Sequence, residues 1–279
     1  EETWQPFRTF DGMPNFDLRD DHVRMLDLDG DGRPEVVVTE DHVLTWYASA
    51  GRQGFEGPYS APMSLDEEAG PYCVFSDPEQ TLFLADMSGD GMTDIVRIRN
   101  GEVCYWPNLG YGRFGAKVSM DDAPVFDHAD QFDPNCVRLA DIDGSGTADL
   151  IYIGGGMCTC WMNRSGNAFS EPIVIDAFPA VHSDVQVMAA DLLGNGVACL
   201  VWSSRLPQDA RSSLQYIDLM NGKKPHLLTG CKNNLGKEIN LAYTPSTRYY
   251  IEDMLAGKPW KTKLPFPVHC LSRVETIDR

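Results

Sequence analysis

The stretch DLDGDGRPE at residues 27–35 decides the fold, because the chain repeats its pattern three more times. The other copies are DMSGDGMTD at 86–94, DIDGSGTAD at 141–149 and DLLGNGVAC at 191–199. Their first positions lie 59, 55 and 50 residues apart. Self-similarity at such a period is typical of architectures built from repeated structural units. We call these stretches loops one to four and number the positions in each from one to nine.

Two aromatic positions recur in phase with the first three loops. A Trp follows the first Asp by 19 or 20 residues, and a Phe follows it by 28. The fourth repeat keeps the glycines but lacks both aromatic offsets. The recurring residues are Trp46, Trp106, Trp161, Phe55, Phe114 and Phe169. Because the three Trp residues have fixed places in the repeat, we interpret them as packing residues rather than as a carbohydrate groove.

Short runs rich in apolar and β-branched residues flank every loop and predict strands. The strands before the loops are expected at 22–26, 81–85, 135–140 and 185–190, and those after them at 35–39, 94–99, 149–153 and 199–202. A Gly-rich or Asn-Gly turn then leads to a third strand that ends at the Trp. A last strand is expected to start at the Phe.

Four strands per repeat predict an all-β fold, a β-propeller of four-stranded antiparallel blades. About four blades are visible, and they can be part of a larger propeller. A β-sandwich is the main alternative, although nothing in a sandwich requires the loops to recur in phase with the Trp and the Phe.

Charge divides the chain. The 279 residues carry a net charge of −18, with −23 in residues 1–222 and +5 in residues 223–279. This shift predicts propeller blades over 1–222 and a basic, extended β tail over 223–279. The acidic excess argues against binding to nucleic acid or to an anionic membrane surface. No apolar run is long enough for a membrane helix, and the first residues lack the pattern of a signal peptide.

The loops have the donor pattern of a site for a hard cation such as Ca²⁺. Side chains at positions one, three, five and nine can converge, glycine at position six allows a sharp turn, and position seven can offer its carbonyl. Position twelve is not acidic and strands flank the loop, so this is not an EF-hand. The predicted ligands are Asp27, Asp29, Asp31, Arg33 and Glu35 in loop one, Asp86, Ser88, Asp90, Met92 and Asp94 in loop two, and Asp141, Asp143, Ser145, Thr147 and Asp149 in loop three.

The loops are expected to differ in affinity for the cation. Loop one offers four carboxylates and loops two and three offer three each, whereas loop four has Leu193 and Cys199 at ligand positions and is expected to be metal-free. Any bound ion would be structural. The alternative interpretation is that the Asp residues only form Asx-turns between strands.

Nothing in the sequence indicates catalysis. The six histidines are scattered, and no nucleophile elbow, phosphate loop or dinucleotide fingerprint is present. The eight cysteines are interpreted as mostly reduced, small core residues. Of these, Cys158 and Cys160 are expected to share one face of a strand.

The loops resemble FG-GAP (VCBS) repeats, the blades of integrin-like propellers, whose positions one, three, five, seven and nine bind Ca²⁺. A closer resemblance, to the middle region of the B component of Tc insecticidal toxin complexes and to SpvB-like virulence proteins, covers most of the chain. It is carried by PFRTF at 6–10, LRD at 18–20, TED at 39–41, TWY at 45–47, WPNLGYGRFG at 106–115, YTPSTRYY at 243–250 and GKPWKTKLPFPV at 257–268.

This resemblance implies a non-enzymatic scaffold for docking and gating. In that family the B and C components form a hollow cocoon around a toxic enzyme, and the propeller docks on the translocation channel of the A component. The tail after residue 222 would lead into an Rhs-type shell. The protein would be made in the cytoplasm and act as a secreted toxin component. The alternatives are an integrin-like extracellular adhesion propeller and an enzyme such as a polysaccharide lyase.

Overall fold

A computed structural model describes residues 7–278 other than 41, 73, 78, 80, 129, 130, 177, 183, 263 and 265. The described residues form twenty β-strands, one α-helix and three short 3₁₀ turns at 51–53, 134–136 and 207–209. The all-β class is therefore confirmed.

In chain order the strands are β1 (Val23–Leu26), β2 (Glu35–Glu40), β3 (Val43–Ser49), β4 (Phe55–Pro62), β5 (Leu82–Ala85), β6 (Asp94–Arg99), β7 (Glu102–Trp106), β8 (Val118–Ser119), β9 (Val137–Ala140), β10 (Asp149–Gly154), β11 (Met157–Trp161), β12 (Asn163–Arg164), β13 (Ala168–Phe169), β14 (Ile173–Ile175), β15 (Val185–Ala190), β16 (Cys199–Ser204), β17 (Leu214–Asp218), β18 (Gly230–Lys232), β19 (Lys237–Pro245) and β20 (His269–Asp278), with helix α1 (Ser246–Leu255) after β19.

Each repeat folds into its own antiparallel sheet. The sheets have the orders β1-β2-β3-β4, β5-β6-β7-β8 and β14-β11-β10-β9, followed by a three-stranded sheet β15-β16-β17. In every sheet, the numbered loop joins the two strands that come first along the chain, such as β1 and β2 in sheet one or β9 and β10 in sheet three. The strands predicted on both sides of the loops are confirmed to within a few residues. The fourth repeat differs from the prediction because its sheet has three strands among the described residues.

The prediction for the last strand was wrong in two repeats. Phe55 does begin β4, but Phe114 pairs with Asn108 in an isolated bridge and Phe169 closes the small hairpin β12-β13. In these repeats the chain turns back immediately after the Trp strand, and the Phe closes that turn. The fourth strand of the sheet therefore starts later, at Val118 or Ile173.

The chain divides into two compact units. The first comprises residues 1–137 and 163–171, and the second comprises residues 138–162 and 172–279. The charge boundary at residue 222 falls within the second unit, between β17 and β18, and stays a prediction. No helix among the described residues is long and apolar enough to cross a membrane.

Each unit has its own apolar core. In the first, the indole of Trp106 is fully buried and packs in one cluster with Leu28 of loop one and Ile95 of sheet two. In the second, residues of sheets three and four pack together, among them Ile151 and Leu200. Such burial is the main stabilising contribution in a fold of short strands.

The packing roles of the Trp and Cys residues agree with the sequence. Trp161 is 7% exposed, and half-buried Trp46 stacks on Tyr59 with ring centroids 5.9 Å apart. Cys158 and Cys160 are buried on one face of β11. Free thiols also occur at Cys104, Cys199, Cys231 and Cys270, whereas Cys73 lies outside the described residues.

The tail contains the sheet β18-β19-β20 and also helix α1, which the predicted β tail did not include. Pro245 precedes the helix in an extended conformation, and the Arg248 side chain donates to Glu252 Oε1 at 2.9 Å. This i,i+4 pair supports the helix locally. A helix of only ten residues gives a weak periodic signal in sequence, which explains why it was missed.

Candidate metal centres in the acidic loops

The first Asp of each loop holds the turn through its two carboxylate oxygens. In loop one, Asp27 Oδ1 accepts from the Gly30 N–H and Oδ2 from the Gly32 N–H, both at 2.8 Å. Loop two repeats these contacts to positions four and six, between Asp86 and the N–H groups of Gly89 and Gly91. In loops three and four the first Asp accepts from positions five and six instead, from Ser145 and Gly146 to Asp141 and from Asn195 and Gly196 to Asp191. The Asx-turn interpretation therefore describes position one in all four loops.

Glycines at positions four and six adopt positive φ angles in every loop, between 62° and 99°. This left-handed conformation suits glycine because it has no Cβ. Loop four has Leu193 and Cys199 at predicted ligand positions but keeps both glycines, Gly194 and Gly196. The glycines are therefore explained by the backbone conformation of the turn, with or without an ion.

The ninth side chain reaches back to the second residue of its loop. Glu35 Oε2 accepts from the Leu28 N–H at 2.8 Å, and Asp94 and Asp149 make the same contact with Met87 and Ile142. All three carboxyl groups are buried. In loop four the buried thiol of Cys199 stands at this position, and burial raises its pKa.

Burial disfavours the charged form of the ninth carboxyl groups. It raises the pKa of Glu35 above its ordinary value, although the Leu28 N–H opposes the shift, and the charges of Asp29 and Asp27 raise it further. Burial also raises the pKa of Asp94, against three backbone hydrogen bonds. A nearby cation would favour the charged forms of these groups.

Two loops bring three carboxylates together. One oxygen from each of Asp27, Asp29 and Glu35 lies within 4.8 Å of the other two. The same holds for Asp141, Asp143 and Asp149. Because Ca²⁺ binds oxygens at about 2.3–2.6 Å, oxygens at this separation can contact one ion together. The residues of loops one and three therefore fit the predicted ion.

Loop two does not form such a cluster among the described residues. Asp94 is fully buried, and its oxygens accept from the backbone N–H groups of Met87, Ser88 and Asn108. Ser88 Oγ lies 3.4 Å from Asp86 Oδ1. The loop has the predicted residue types, but its ninth carboxylate is committed to the backbone.

The other predicted ligands lie outside the three-carboxylate clusters. Asp31 and Asp90 are exposed and accept from the N–H groups of Arg33 and Met92, at 2.7 and 2.9 Å. In loop three, Ser145 Oγ lies 3.1 Å from Thr147 Oγ1. Positions five and seven thus support the turn, and their carbonyl or carboxylate oxygens could complete a coordination shell.

Sequence reasoning missed two residues at loop three. His226 Nε2 lies 2.8 Å from Asp143 Oδ2, and the Lys224 ammonium donates to the carbonyls of Asp143 and Gly144. Burial by itself would raise the pKa of Asp143, but hydrogen bonds from His226 and Ser145 outweigh it and lower that pKa. The change from acidic to basic composition after residue 222 is the sequence feature that could have indicated Lys224 and His226 as neighbours of an acidic loop.

Comparison with known proteins gives a consistent result. Residues 163–279 match the family described as the insecticide toxin TcdB middle/N-terminal region. A Tc holotoxin pore structure from Photorhabdus luminescens aligns over 94% of this chain with 29% identity and a TM-score of 0.75. The resemblance to the B component of a Tc toxin is confirmed.

The chain spans only part of the proteins that it matches, 12% of the Tc holotoxin chain and 17% of a TcdB2-TccC3 chain. The TcdB2-TccC3 crystal structure aligns over 91% of this chain, with 22% identity and a TM-score of 0.61, and this likeness concerns the fold alone. A lectin from Agrocybe aegerita that recognises non-reducing terminal N-acetylglucosamine aligns over 64% of this chain and 45% of its own length. The identity is 20% and the TM-score is 0.50, so this likeness also concerns the fold alone. A search of curated proteins found no match.

Proposed function

We propose that this chain is a non-enzymatic β-propeller segment of a Tc-type toxin and serves as a scaffold for docking and gating. It would link a toxin-enclosing shell to the translocation channel of the A component. The observation that carries the proposal is the alignment of nearly the whole chain with a Tc holotoxin pore structure at 29% identity. The alignment with TcdB2-TccC3 supports the same architecture.

Contacts between successive repeats support a propeller. In the first unit, Asn163 Nδ2 donates to the Met87 carbonyl at 3.0 Å, and the Tyr105 hydroxyl donates to the Gly166 carbonyl at 3.1 Å. The hairpin after the third Trp thus attaches to the second sheet and its loop. A parallel bridge from Asp121 to Ala168 extends the attachment.

The same relation recurs one repeat earlier. The turn after Trp106 contains Gly112, and a Cβ at that position would lie 2.6 Å from the Trp46 ring of sheet one. In the second and third repeats, the turn after the Trp thus contacts the preceding sheet. Such contacts would join consecutive blades, and they account for a Trp and a Phe that recur in phase with the loops.

The proposed partners are the A component and either the C component or an Rhs-type shell. The net charge of −18 favours a basic partner surface and disfavours nucleic acid. The protein would work as part of a secreted toxin complex and would not itself insert into a membrane. The buried carboxyl groups at position nine of loops one to three accept from backbone N–H groups, which suits a structural role for these loops.

We propose structural Ca²⁺ as the cofactor. Loop one is the strongest candidate, since Asp27, Asp29 and Glu35 converge there and no described ion pair reaches them. Loop three offers three converging carboxylates as well. Ca²⁺ would neutralise their mutual repulsion and hold the turn between the first two strands of the sheet.

Binding to the A component tests the proposed scaffold role. The protein, alone and mixed with a C component, is passed over immobilised Tc A component in biolayer interferometry. We expect saturable binding whose association rate falls as NaCl is raised, because an acidic surface would be steered to a basic one. An unrelated acidic protein of similar charge is the control. Absence of binding both with and without the C component would overturn the docking role.

A further inference from the structure

The segment at residues 223–227 lies against loop three and places two basic side chains on it. The Lys224 ammonium donates to the Asp143 carbonyl at 3.3 Å and also to the Gly144 carbonyl. His226 Nε2 lies 2.8 Å from Asp143 Oδ2. We call Lys224 and His226, with these contacts, the clasp.

Two glycines of loops three and four allow the Lys224 side chain to lie close to the backbone. The Lys224 stem passes Gly196 of loop four, where a Cβ would lie 3.8 Å from Lys224 Cε. At Gly144 a Cβ would overlap the ammonium itself. Lys224 is half-buried, whereas its neighbour Lys223 is exposed. The absence of side chains at Gly144 and Gly196 therefore leaves the space that the Lys224 side chain occupies.

The clasp and the proposed cation site share one group, the carboxylate of Asp143. Asp143 Oδ1 accepts from the Ser145 N–H and Oδ2 faces His226, so both oxygens are engaged. Asp143 is also one of the three carboxylates that converge in loop three. The Lys224 ammonium lies 3.3 Å from the backbone carbonyl of this same residue. Its positive charge would therefore repel a divalent ion bound by the Asp143 carboxylate.

We propose that the clasp and a divalent cation compete for loop three, so that Ca²⁺ binding releases the segment around Lys224 and the clasp weakens Ca²⁺ binding. This inference rests on the proposed capacity of loop three for Ca²⁺. Because linkage is reciprocal, the factor by which the clasp lowers Ca²⁺ affinity equals the factor by which Ca²⁺ loosens the clasp. The chain thus carries an internal counter-cation for one of its acidic loops.

Calorimetric titration with CaCl₂ tests the competition. Asp29→Asn serves as the background, since it removes one carboxylate of loop one while its amide oxygen can still accept from the Asp31 N–H. In this background, Lys224→Met is expected to raise the Ca²⁺ affinity of loop three about tenfold, within the usual range of coupling between sites. Lys223→Met is the matched control, because it makes the same charge change on the exposed neighbour and should leave the affinity unchanged.

Trypsin provides a second readout that does not depend on Lys224 substitution. The Lys223–Lys224 bond lies inside the clasped segment, and Ca²⁺ is expected to speed its cleavage in the unaltered protein, as followed by mass spectrometry. In Asp141→Asn, which weakens the loop-three cluster, Ca²⁺ should no longer change the rate. A rate that never responds to Ca²⁺ would contradict release of the segment.

The outcomes separate this inference from the proposed function. Equal Ca²⁺ affinities in the Lys224→Met and Lys223→Met variants overturn the competition. No binding at loop three in either variant overturns the competition together with the cation site of that loop. Neither result affects binding to the A component, on which the scaffold role depends.

Discussion

Loops one and three have glycines at the same two positions and the same convergence of three carboxylates, but different surroundings. Beside Gly30 of loop one lies the apolar side chain of Met92, where a Cβ would be 3.7 Å from Met92 Cγ. At the equivalent Gly144 of loop three lies the ammonium of Lys224. This difference is the basis for our proposal that loop one binds an external cation whereas loop three is held by a lysine of the same chain.

The largest expected effect concerns what the two loops share. Asp27→Ala and Asp141→Ala each remove a carboxylate that accepts two backbone N–H groups. Each substitution should lower the free energy of unfolding by about 2–3 kcal/mol, since hydrogen bonds to charged groups contribute more than neutral ones. Urea denaturation in EGTA measures this effect. If one loop tolerates the loss, the turn is not held in the same way in both.

Calcium should distinguish the loops next. At a Ca²⁺ concentration of about one hundred times Kd, a single site stabilises the folded state by about 2.7 kcal/mol. We expect EGTA to lower the Tm correspondingly in the unaltered protein, and Asp29→Asn to remove most of the shift. Asp143→Asn, the matched change in loop three, should leave most of it. Differential scanning fluorimetry measures the EGTA-induced shift in Tm. Equal shifts in Asp29→Asn and Asp143→Asn would contradict the proposed difference in Ca²⁺ affinity between the two loops.

A substitution at position 92 would make loop one resemble loop three. Met92→Lys places an ammonium beside Gly30, as Lys224 lies beside Gly144. Its charge should weaken Ca²⁺ binding at loop one by about 1 kcal/mol or more, because unit charges about 4 Å apart repel by that amount even in bulk water. Met92→Leu controls for the change of shape. Calorimetry showing equal Ca²⁺ affinity in the Lys and Leu variants would argue against the proposed role of the neighbouring charge.

The smallest expected difference is in the response to pH without Ca²⁺. The folded pKa of Glu35 is raised above its ordinary 4.5, so its contribution to stability is present at low pH and is lost as pH rises through the raised value. The folded pKa of Asp143 is lowered below 3.8, so its contribution is present above the ordinary value and is lost as pH falls through the lowered one.

Two variants reveal these opposite slopes in unfolding curves recorded in EGTA between acid and neutral pH. Relative to the unaltered protein, Glu35→Gln should gain stability as pH rises from acid to neutral. Asp143→Asn should lose relative stability over the same change. Parallel pH profiles for the two variants would contradict the assigned surroundings.

Much of the fold could be predicted from local pattern. The strands next to the loops follow from β-branched runs, and the third strand of the third repeat, β11, ends at Trp161 as predicted. The start of the fourth strand could not be predicted, because whether Phe114 and Phe169 begin a strand or close a hairpin depends on packing against the preceding sheet. Helix α1 is too short for its periodicity to be distinctive.

The candidate site was predicted less completely. Residue types predicted the carboxylates that converge in loops one and three, but they could not show that Asp94 accepts from three backbone N–H groups. Nor could they show that Lys224, which lies 80 residues along the chain from Gly144, reaches loop three. Both features depend on long-range geometry, for which a nine-residue pattern carries no information.

Native mass spectrometry tests the difference between the loops most directly. The unaltered protein and the Lys224→Met variant are equilibrated with low micromolar Ca²⁺, and the ions bound per chain are counted. The account predicts one ion in the unaltered protein, lost in Asp29→Asn, and a second ion in Lys224→Met. Two equally filled sites in the unaltered protein, or no ion in either, would contradict it.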